Sequence, residues 1–369
     1  MKNSMRIGLC LFMAATTLGL AAFGGGCSVK QSTLNITAPV GEVFPYVENA
    51  RQYLEQTLGE DVGLYCGGFG SFANPQVPVT VEWTCDAENV SRYKVEYATN
   101  STYKNAQVQV VKGKFIDLYN LYKGAEYHLR ITAYGRGNKV LSRGETTFVS
   151  TDLGPRVMHV DGIHNVRDLG GYTTVSGKRT AQGLIFRGGT LSKIKPYVSE
   201  LTEYGAAYMR DVLKIKTDAD LRNQTEAGCI VSPIPDAKLY YFSLGGYSDM
   251  LNASAKPLFQ MLADKNNYPI YLHCTGGADR TGTASFLINA LLGVEEKILV
   301  QDYEFTSFSI YGMRNVRRGD YAAMFQQFLE KLKSYEGETL QQKTENFLLS
   351  IGVTSAEIQS IKDIMYEAK

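Results

Sequence analysis

The stretch from Pro269 to Leu292 limits the possible folds more than any other part of this sequence. Residues 269–272 (Pro-Ile-Tyr-Leu) are typical of a short buried strand, with the proline at its first position, where a strand tolerates one. Residues 273–283 read His-Cys-Thr-Gly-Gly-Ala-Asp-Arg-Thr-Gly-Thr, and an apolar helix is predicted from Ala284 to Leu292. In α/β domains, ligands bind at the carboxyl edge of the central sheet. The sequence therefore predicts an α/β domain over residues 155–369, with this loop at that edge.

The residues of the loop suit the binding of a phosphate group. Backbone N–H groups between a strand and a helix can turn inward and form a nest for an oxyanion. Gly276 and Gly277 permit the backbone angles that such a turn needs. Arg280 can bind two phosphate oxygens at once, which a lysine cannot do in that planar geometry. The predicted phosphate-binding residues are Thr275, Gly276, Gly277, Ala278, Asp279 and Arg280.

A cysteine at the start of the loop supplies a nucleophile. Cys274 is expected at the floor of the nest, where the same positive dipoles favour its thiolate form. Thr281 is placed to donate a hydrogen bond to that thiolate, and His273 is expected to order the loop rather than to act as a base. The arrangement suits in-line attack on phosphorus, a cysteinyl-phosphate intermediate and its hydrolysis by water.

The loop resembles that of the cysteine-dependent protein tyrosine phosphatases, which reads His-Cys-x5-Arg-Ser/Thr. Other segments are similar to the bacterial tyrosine phosphatase family, which includes secreted lipid and protein phosphatases of pathogens. The resemblance spans residues 155–369 and implies Cys274 and Arg280 as catalytic residues. The matching segments are 165–172 (Asn-Val-Arg-Asp-Leu-Gly-Gly-Tyr), 183–189 (Gly-Leu-Ile-Phe-Arg-Gly-Gly), Asp220-Leu221-Arg222 with Glu226 on the next strand, and Asp302-Tyr303 on the helix after the loop.

Two departures from the family pattern bear on substrate and mechanism. Many members carry lysine just before the Asp-Arg pair, and Ala278 stands there in this chain, which removes a cation that favours phosphoinositides. The chain also lacks a Trp-Pro-Asp motif, the usual source of the general acid. In this family the aspartate beside the arginine is proposed to serve, which implies Asp279. Asp249, in a glycine-rich loop, is the alternative, and a third reading is that Asp279 only orients Arg280.

Arg167 and Asp168 are predicted to support the site. They are expected to form an ion pair that braces the active loop, with substrate contact as the alternative. The four histidines and the scattered acidic residues form no metal-ligand pattern. Neither a metal nor another cofactor is expected.

Residues 77–133 show the period-two alternation of apolar residues that is typical of antiparallel strands. The segment resembles a fibronectin type III domain. Trp83 matches that family's early-strand tryptophan, and residues 121–127 follow its Leu-x-Pro-Gly-Thr-x-Tyr corner with Lys for Pro and Ala for Thr. The resemblance implies a β-sandwich over residues 75–152. The chain is therefore expected to be multidomain, with a small all-β unit before the α/β unit.

Residues 1–26 are a predicted export signal. They contain two basic residues, no acidic residue and an apolar run from Ile7 to Phe23. Three glycines then precede Cys27, which resembles a bacterial lipobox and implies lipidation of Cys27; an ordinary secretory signal is the alternative. We expect an exported protein, either a cell-envelope lipoprotein of the periplasm or outer membrane or a secreted protein. A lipid at Cys27 would bind the membrane without a transmembrane helix.

Residues 27–74 are expected to be an N-terminal segment and linker with one amphipathic stretch, near Val43 to Leu58. In an oxidising compartment Cys66 could pair with Cys85, and two free thiols are the alternative.

The net charge of the chain limits the classes of molecule that it can attract. Its formal net charge is +1, from 38 Lys and Arg against 37 Asp and Glu, so no general field attracts nucleic acid. The expected substrate is a phosphorylated protein or a small phosphomonoester. Three functions remain open: an exported protein tyrosine or dual-specificity phosphatase, an inositol phosphate or phosphoinositide phosphatase, and a surface protein that binds phosphate without turnover.

Overall fold

A computed structural model describes residues 32–56, 60–66, 75–193 and 199–368. The predicted export signal and Cys27 lie outside these residues, so export and lipidation stay predictions. In the described ranges no helix combines the length and the apolarity needed to cross a membrane.

The N-terminal region consists of two β-sheets that share one core. One sheet has the strand order β1-β3-β6 and the other the order β2-β8-β7-β4-β5. The strands are β1 (Leu34–Ala38), β2 (Gly41–Val43), β3 (Val79–Cys85), β4 (Arg92–Ala98), β5 (Gln107–Val111), β6 (Phe115–Leu118), β7 (Glu126–Tyr134) and β8 (Val140–Ser150). All neighbours are antiparallel except β2 and β8, which are parallel.

The alternation in the sequence marks the buried faces of these strands. In β3, Val79, Val81 and Trp83 are buried and the residues between them are exposed. The corner before β7 is closed by a hydrogen bond from the Tyr122 N–H to the Tyr127 hydroxyl (2.7 Å). Apolar side chains of both sheets thus form one core, as expected for a sandwich.

The sheets extend further toward the N-terminus than predicted. β1 pairs with β3, and β2 pairs with β8, although both strands lie in the segment expected to be a linker. The linker prediction failed here because these strands are short and pair with residues far along the chain. Cys66 and Cys85 are free thiols in the structure.

The C-terminal region is built on a six-stranded sheet with the order β13-β12-β14-β11-β10-β9. The four strands at one side are parallel, and β10 and β9 are antiparallel additions. The strands are β9 (Arg156–Val157), β10 (Arg167–Asp168), β11 (Ile185–Gly188), β12 (Thr217–Asp220), β13 (Lys238–Tyr241) and β14 (Ile270–His273). β14, the strand predicted before the active loop, is central and buried, which explains its nearly continuous apolar sequence.

Helices cover this sheet. They are α2 (Glu203–Asp211), α3 (Gln224–Ala227), α4 (Lys256–Leu262), α5 (Arg280–Leu291), α6 (Glu296–Glu304), α7 (Asp320–Lys333), α8 (Leu340–Ser350) and α9 (Ser355–Met365), whereas α1 (Glu48–Glu55) precedes the sandwich strand β3. α5 is buried along almost its whole length, as expected of a helix that is apolar on all sides. It begins at Arg280, four residues before the predicted start.

Backbone and side-chain hydrogen bonds join the two regions. The Asn120 side chain accepts from the His159 N–H (2.6 Å) and donates to the His159 carbonyl (2.9 Å). The Arg156 guanidinium donates to the Leu121 carbonyl (3.0 Å) and pairs with Asp168 (2.9 Å). The corner of the sandwich is therefore fixed to the first strands of the C-terminal sheet.

Lys123 is buried at this junction, with 5% of its surface exposed. Its ammonium donates to the Gly154 carbonyl (2.7 Å), lies 3.7 Å from Asp152 and stands 4.4 Å from the centre of the Tyr172 ring. Burial lowers the pKa of Lys123 to about 8, although Asp152 favours the charge. Lys123 therefore loses its proton at a lower pH in the folded chain than in the unfolded chain.

Replacing Lys123 with Met should remove a pH-dependent part of the stability. Above about pH 8 the folded lysine loses its proton while the unfolded one keeps it to about pH 10.4, so stability rises with pH in that window. We expect the free energy of unfolding of the unmodified chain to gain about 2–3 kcal/mol relative to Lys123→Met between about pH 7 and pH 10. Urea denaturation at several pH values measures this.

Lys112→Met is the matched control, because Lys112 is exposed, and it should leave the pH dependence unchanged. Parallel pH curves for the unmodified chain and Lys123→Met would contradict the prediction.

Candidate active site

The predicted active loop lies at the carboxyl end of β14, between that strand and α5. Cys274 begins the loop and is 2% exposed. Arg280, six residues later, is the first residue of α5. The loop is therefore at the sheet edge where the sequence placed it.

The carbonyl groups of the loop are bonded to residues outside it. The Thr275 carbonyl accepts from the Thr190 N–H (3.0 Å), the Gly276 carbonyl from Asn165 Nδ2 (3.0 Å), and the Gly277 carbonyl from Arg187 (2.6 Å). By contrast, no described residue accepts a hydrogen bond from the backbone N–H groups of residues 275–280. These donors are left for a ligand, which is the requirement for an anion nest.

Gly277 is needed for both its backbone angles and its lack of a side chain. Its φ is +63°, a region that L-residues rarely adopt. A Cβ at this position would lie 2.2 Å from the Gly188 carbonyl oxygen. Gly276 is also confined, since a Cβ there would lie 3.1 Å from the Tyr311 ring. The close approach of the loop to β11 thus depends on Gly277, and Gly276 leaves room for the Tyr311 ring.

Arg280 is oriented by Glu226. The two carboxylate oxygens accept from the two terminal nitrogens of Arg280 at 2.8 and 2.6 Å, and Thr275 Oγ1 donates to the same carboxylate (3.3 Å). These bonds hold the pKa of Glu226 below its usual value. Two of the five guanidinium N–H groups are used, which leaves three for a ligand. Glu226 lies on α3 and not on a strand as the sequence predicted.

A buried network around Asp302 holds the loop from below. Its carboxylate accepts from Arg167 Nε (3.1 Å) and from Arg187 (2.7 Å), and Arg187 also binds the Gly277 carbonyl. Burial opposes ionisation, but the two guanidinium groups hold the pKa of Asp302 below its usual value. Arg167 also bonds to Asn165, which binds the loop itself.

The predicted ion pair between Arg167 and Asp168 is wrong. The two residues are neighbours on β10, so their side chains point to opposite faces of the sheet. Arg167 therefore pairs with Asp302 on one side, and Asp168 pairs with Arg156 on the other. Both side chains are buried, so direct substrate contact is also excluded for this structure.

His273 is buried at the end of β14. Its Nε2 lies 2.8 Å from Asp218, and its Nδ1 lies 3.3 Å from the Cys274 carbonyl oxygen. Although burial opposes the charge, Asp218 and Asp220 raise the pKa of His273 above its ordinary value. The ring therefore fixes the backbone of the nucleophile.

The hydrogen bond expected from Thr281 to the thiolate is absent among the described residues. The Thr281 hydroxyl is buried and has no described hydrogen-bond partner. The neighbouring hydroxyl of Thr283 donates to the Asp279 carbonyl (2.9 Å) instead and stabilises the first turn of α5.

Asp279 pairs with a residue that the sequence did not indicate. Its two carboxylate oxygens accept from Arg314 at 2.7 and 3.0 Å, and the Tyr247 hydroxyl adds a bond of 2.5 Å. Asp279 therefore does not orient Arg280. No local motif indicated Arg314, because it is 35 residues away in sequence.

A cavity of about 460 Å³ opens beside the loop. Asp249, Asp279 and Arg280 line it together with two tyrosines, a methionine and three small or polar residues. The other lining residues are Gly246, Tyr247, Ser248, Tyr321, Met324 and Gln327. Both candidate acids therefore face the same space. Among the described residues no group of three His, Cys, Asp or Glu side chains could hold a metal ion.

Two solved structures show similarity to this chain at low sequence identity. The core catalytic domain of the PP-IP phosphatase SIW14 from S. cerevisiae, in complex with citrate, is 20% identical and has a TM-score of 0.28, covering 41% of this chain and 83% of that one. A second structure, of the Siw14 catalytic core, is 18% identical with a TM-score of 0.29, covering 46% of this chain and 92% of that one. No curated protein matches the chain.

The family comparison covers most of the catalytic region. Residues 158–367 match the model of the tyrosine phosphatase family, from just after β9 to just past α9. The matched range contains the whole active loop, the network around Asp302 and Arg314. Since this range is more than half of the chain, the protein belongs to the tyrosine phosphatase family and is a cysteine-based phosphatase.

Proposed function

We propose that this protein is an exported protein tyrosine or dual-specificity phosphatase in which Cys274 is the nucleophile. The observation that carries the proposal is the active loop itself. Its carbonyls are bonded outward, its N–H groups from 275 to 280 have no described acceptor, and Cys274 lies buried at its start. Such a loop can hold a phosphate group against the sulfur.

The reaction proceeds in two displacements. Cys274 Sγ attacks phosphorus, a P–S bond forms, and the P–O bond to the leaving group breaks. Charge on the equatorial oxygens is stabilised by the loop N–H groups and by the free N–H groups of Arg280. Water then attacks the cysteinyl phosphate, the P–S bond breaks and the thiolate is restored. The proton that the water loses passes to the carboxylate that donated one in the first displacement, and inorganic phosphate is released.

Asp279 is the proposed proton donor to the leaving oxygen. Its carboxylate lines the cavity next to Arg280, and Arg314 fixes its direction. Asp249 lines the same cavity and is the alternative donor. Since proton donation matters most when the leaving oxygen is basic, the two can be distinguished by the choice of substrate.

The charges around the loop favour a substrate with one phosphate group. Arg280 pairs with Glu226, Arg222 with Asp220 and Arg314 with Asp279, so each of these guanidinium groups already has a carboxylate partner. A second phosphate in the cavity would face Asp249 and Asp279. Ala278, at the position of the family lysine, is buried and adds no charge.

The same cavity can accept an aromatic ring. Tyr321 and Met324 form part of its wall, and both bind aromatic rings well. This favours phosphotyrosine over an inositol polyphosphate, which combines several negative charges with no apolar surface.

The unmodified chain should hydrolyse a phosphotyrosine peptide with a higher kcat/KM than inositol hexakisphosphate, because only the peptide matches the single anion site and its apolar wall. Release of inorganic phosphate at equal substrate concentrations, without added metal, measures this. A preference for inositol hexakisphosphate would contradict the proposed substrate class but not the nucleophile.

The matched control is Cys274→Ser, which keeps the shape of the site and removes the thiolate. It should lose turnover on every substrate, and Arg280→Lys should retain phosphate binding only weakly. Unchanged turnover in Cys274→Ser would contradict the mechanism. Phosphate binding without any turnover in the unmodified chain would favour a non-catalytic binding protein.

Asp279→Asn should slow hydrolysis of phenyl phosphate by about 10²–10³ and that of p-nitrophenyl phosphate far less, because the nitrophenolate leaves without a proton. Asp249→Asn is the comparison variant and should affect the two substrates alike. Steady-state kcat values for both esters measure this. The reverse pattern would assign the proton donor to Asp249.

A further inference from the structure

The segment between α6 and α7, residues 305–319, lies against the active loop. We call it the α6–α7 loop. Its Tyr311 ring packs beside Gly276, and its Arg314 holds both carboxylate oxygens of Asp279. Arg314 is 6% exposed and its guanidinium lies 3.8 Å from the centre of the Tyr321 ring. The direction of the Asp279 carboxylate thus depends on where this loop is held.

The opposite side of the α6–α7 loop is covered by an N-terminal segment that comes before most of the sandwich. We call residues 46–56 and 60–66 the N-terminal brace. Its Tyr46 ring packs edge-on against Phe305, with ring centres 6.0 Å apart, and its Tyr53 ring lies 5.7 Å from Phe308. These rings form a core cluster that is separate from that of the sandwich.

Tyr53 also makes a buried polar contact. Its hydroxyl donates to Glu304 Oε2 at 2.6 Å, and Glu304 Oε1 accepts from the Val316 N–H at 2.9 Å. Glu304 is 1% exposed, and burial raises its pKa although Tyr53 opposes the shift. One carboxylate therefore links the brace to the backbone two residues after Arg314.

Asp61 makes the second polar contact. It accepts from the Gly63 N–H within the brace (2.7 Å), from the Asn315 side chain, and from Arg318 Nε (2.6 Å). Asn315 directly follows Arg314 and is 1% exposed. The brace thus holds the chain at residues 315, 316 and 318, immediately after the residue that orients Asp279.

We propose that Tyr53 and Asp61 of the N-terminal brace are positioning residues that act through Arg314 on Asp279. The proposal rests on the proposed function, since it assumes that Asp279 donates a proton. The brace touches neither the nucleophile nor the phosphate nest among the described contacts. Its loss should therefore impair proton donation while leaving attack by Cys274 intact.

Because only proton donation is affected, loss of a brace contact should slow one class of ester more than another. A merely structural role would not produce this difference. If residues 314–318 shift, Asp279 loses the fixed direction that brings it to the leaving oxygen, and misplacement of about 1 Å is costly in catalysis. Phenyl phosphate needs that proton and p-nitrophenyl phosphate needs it far less. General loosening of the fold would slow both esters alike.

The experiment measures kcat for both esters in the full chain and in the variants Asp61→Asn and Tyr53→Phe. Each variant removes one charge or one hydroxyl and keeps the shape of the side chain. We expect phenyl phosphate hydrolysis to fall about 10-fold, a part of the ~10²–10⁴ that a positioned acid supplies, with p-nitrophenyl phosphate hydrolysis changed less than about 2-fold. Inhibition by inorganic phosphate should be unchanged, because the nest is intact.

Glu55→Gln is the matched control. Glu55 lies on the same segment and pairs with Arg51 on an exposed face of α1, so this variant should match the unmodified chain on both esters. Two variants are used because the buried Tyr53 hydroxyl also supports packing, whereas the Asp61 side chain is less buried. Thermal unfolding establishes that each variant is folded at the assay temperature.

The kcat values of the Asp279 variant and of the brace variants distinguish failure of this inference from failure of the proposed function. If Asp279→Asn has the ester-dependent loss but neither brace variant does, the brace is not a positioning element and the inference fails alone. Equal losses on both esters in the brace variants would also overturn it. If Asp279→Asn affects both esters alike, the proposed acid fails first, and the inference fails with it.

Discussion

The site depends on which way the peptide groups of one short loop point. Each of the Thr275, Gly276 and Gly277 carbonyls is bonded to a group outside the loop, and no described residue accepts a hydrogen bond from the N–H groups of residues 275–280. The Gly277 carbonyl is held by Arg187, which is held in turn by Asp302. Asp302 is a buried carboxylate paired with two buried guanidinium groups. Removing one member of such a buried ion pair strongly destabilises a protein, because a buried charge is left without a partner. The geometry of the nest is therefore tied to the core of the domain.

Charge pairing around the loop underlies the proposed preference for a substrate with one phosphate group. Several arginines surround the loop, yet Arg280, Arg222 and Arg314 each have a carboxylate partner. The loop N–H groups and the unused N–H groups of Arg280 are therefore the donors left for a phosphate group. In the proposed function a single phosphate group occupies the loop, because a second one would meet Asp249 and Asp279 at the cavity wall.

The sequence predicted those features that depend on neighbours in the chain. Cys274, Arg280 and the two glycines follow from the order of strand, loop and helix, and the buried face of β3 follows from its alternation. The ion-pair partners of Arg167, Asp168 and Asp279 could not be predicted from neighbouring residues, because each partner lies in another part of the chain. The pairing of Arg167 with Asp302 spans 135 residues and that of Asp279 with Arg314 spans 35.

The same limit explains why strands β1 and β2 were not predicted, although α1 lies within the predicted amphipathic stretch near Val43 to Leu58. β1, β2 and the brace are short, and their partners lie far along the chain.

The central claim, that the Cys274 sulfur carries the phosphoryl group, is tested most directly by rapid acid quench of the unmodified chain during turnover, with mass spectrometry of its peptides. The account predicts phosphate attached to the peptide of residues 274–280 at the cysteine. Turnover with no phosphorylated cysteine, or with phosphate on another residue, would contradict it.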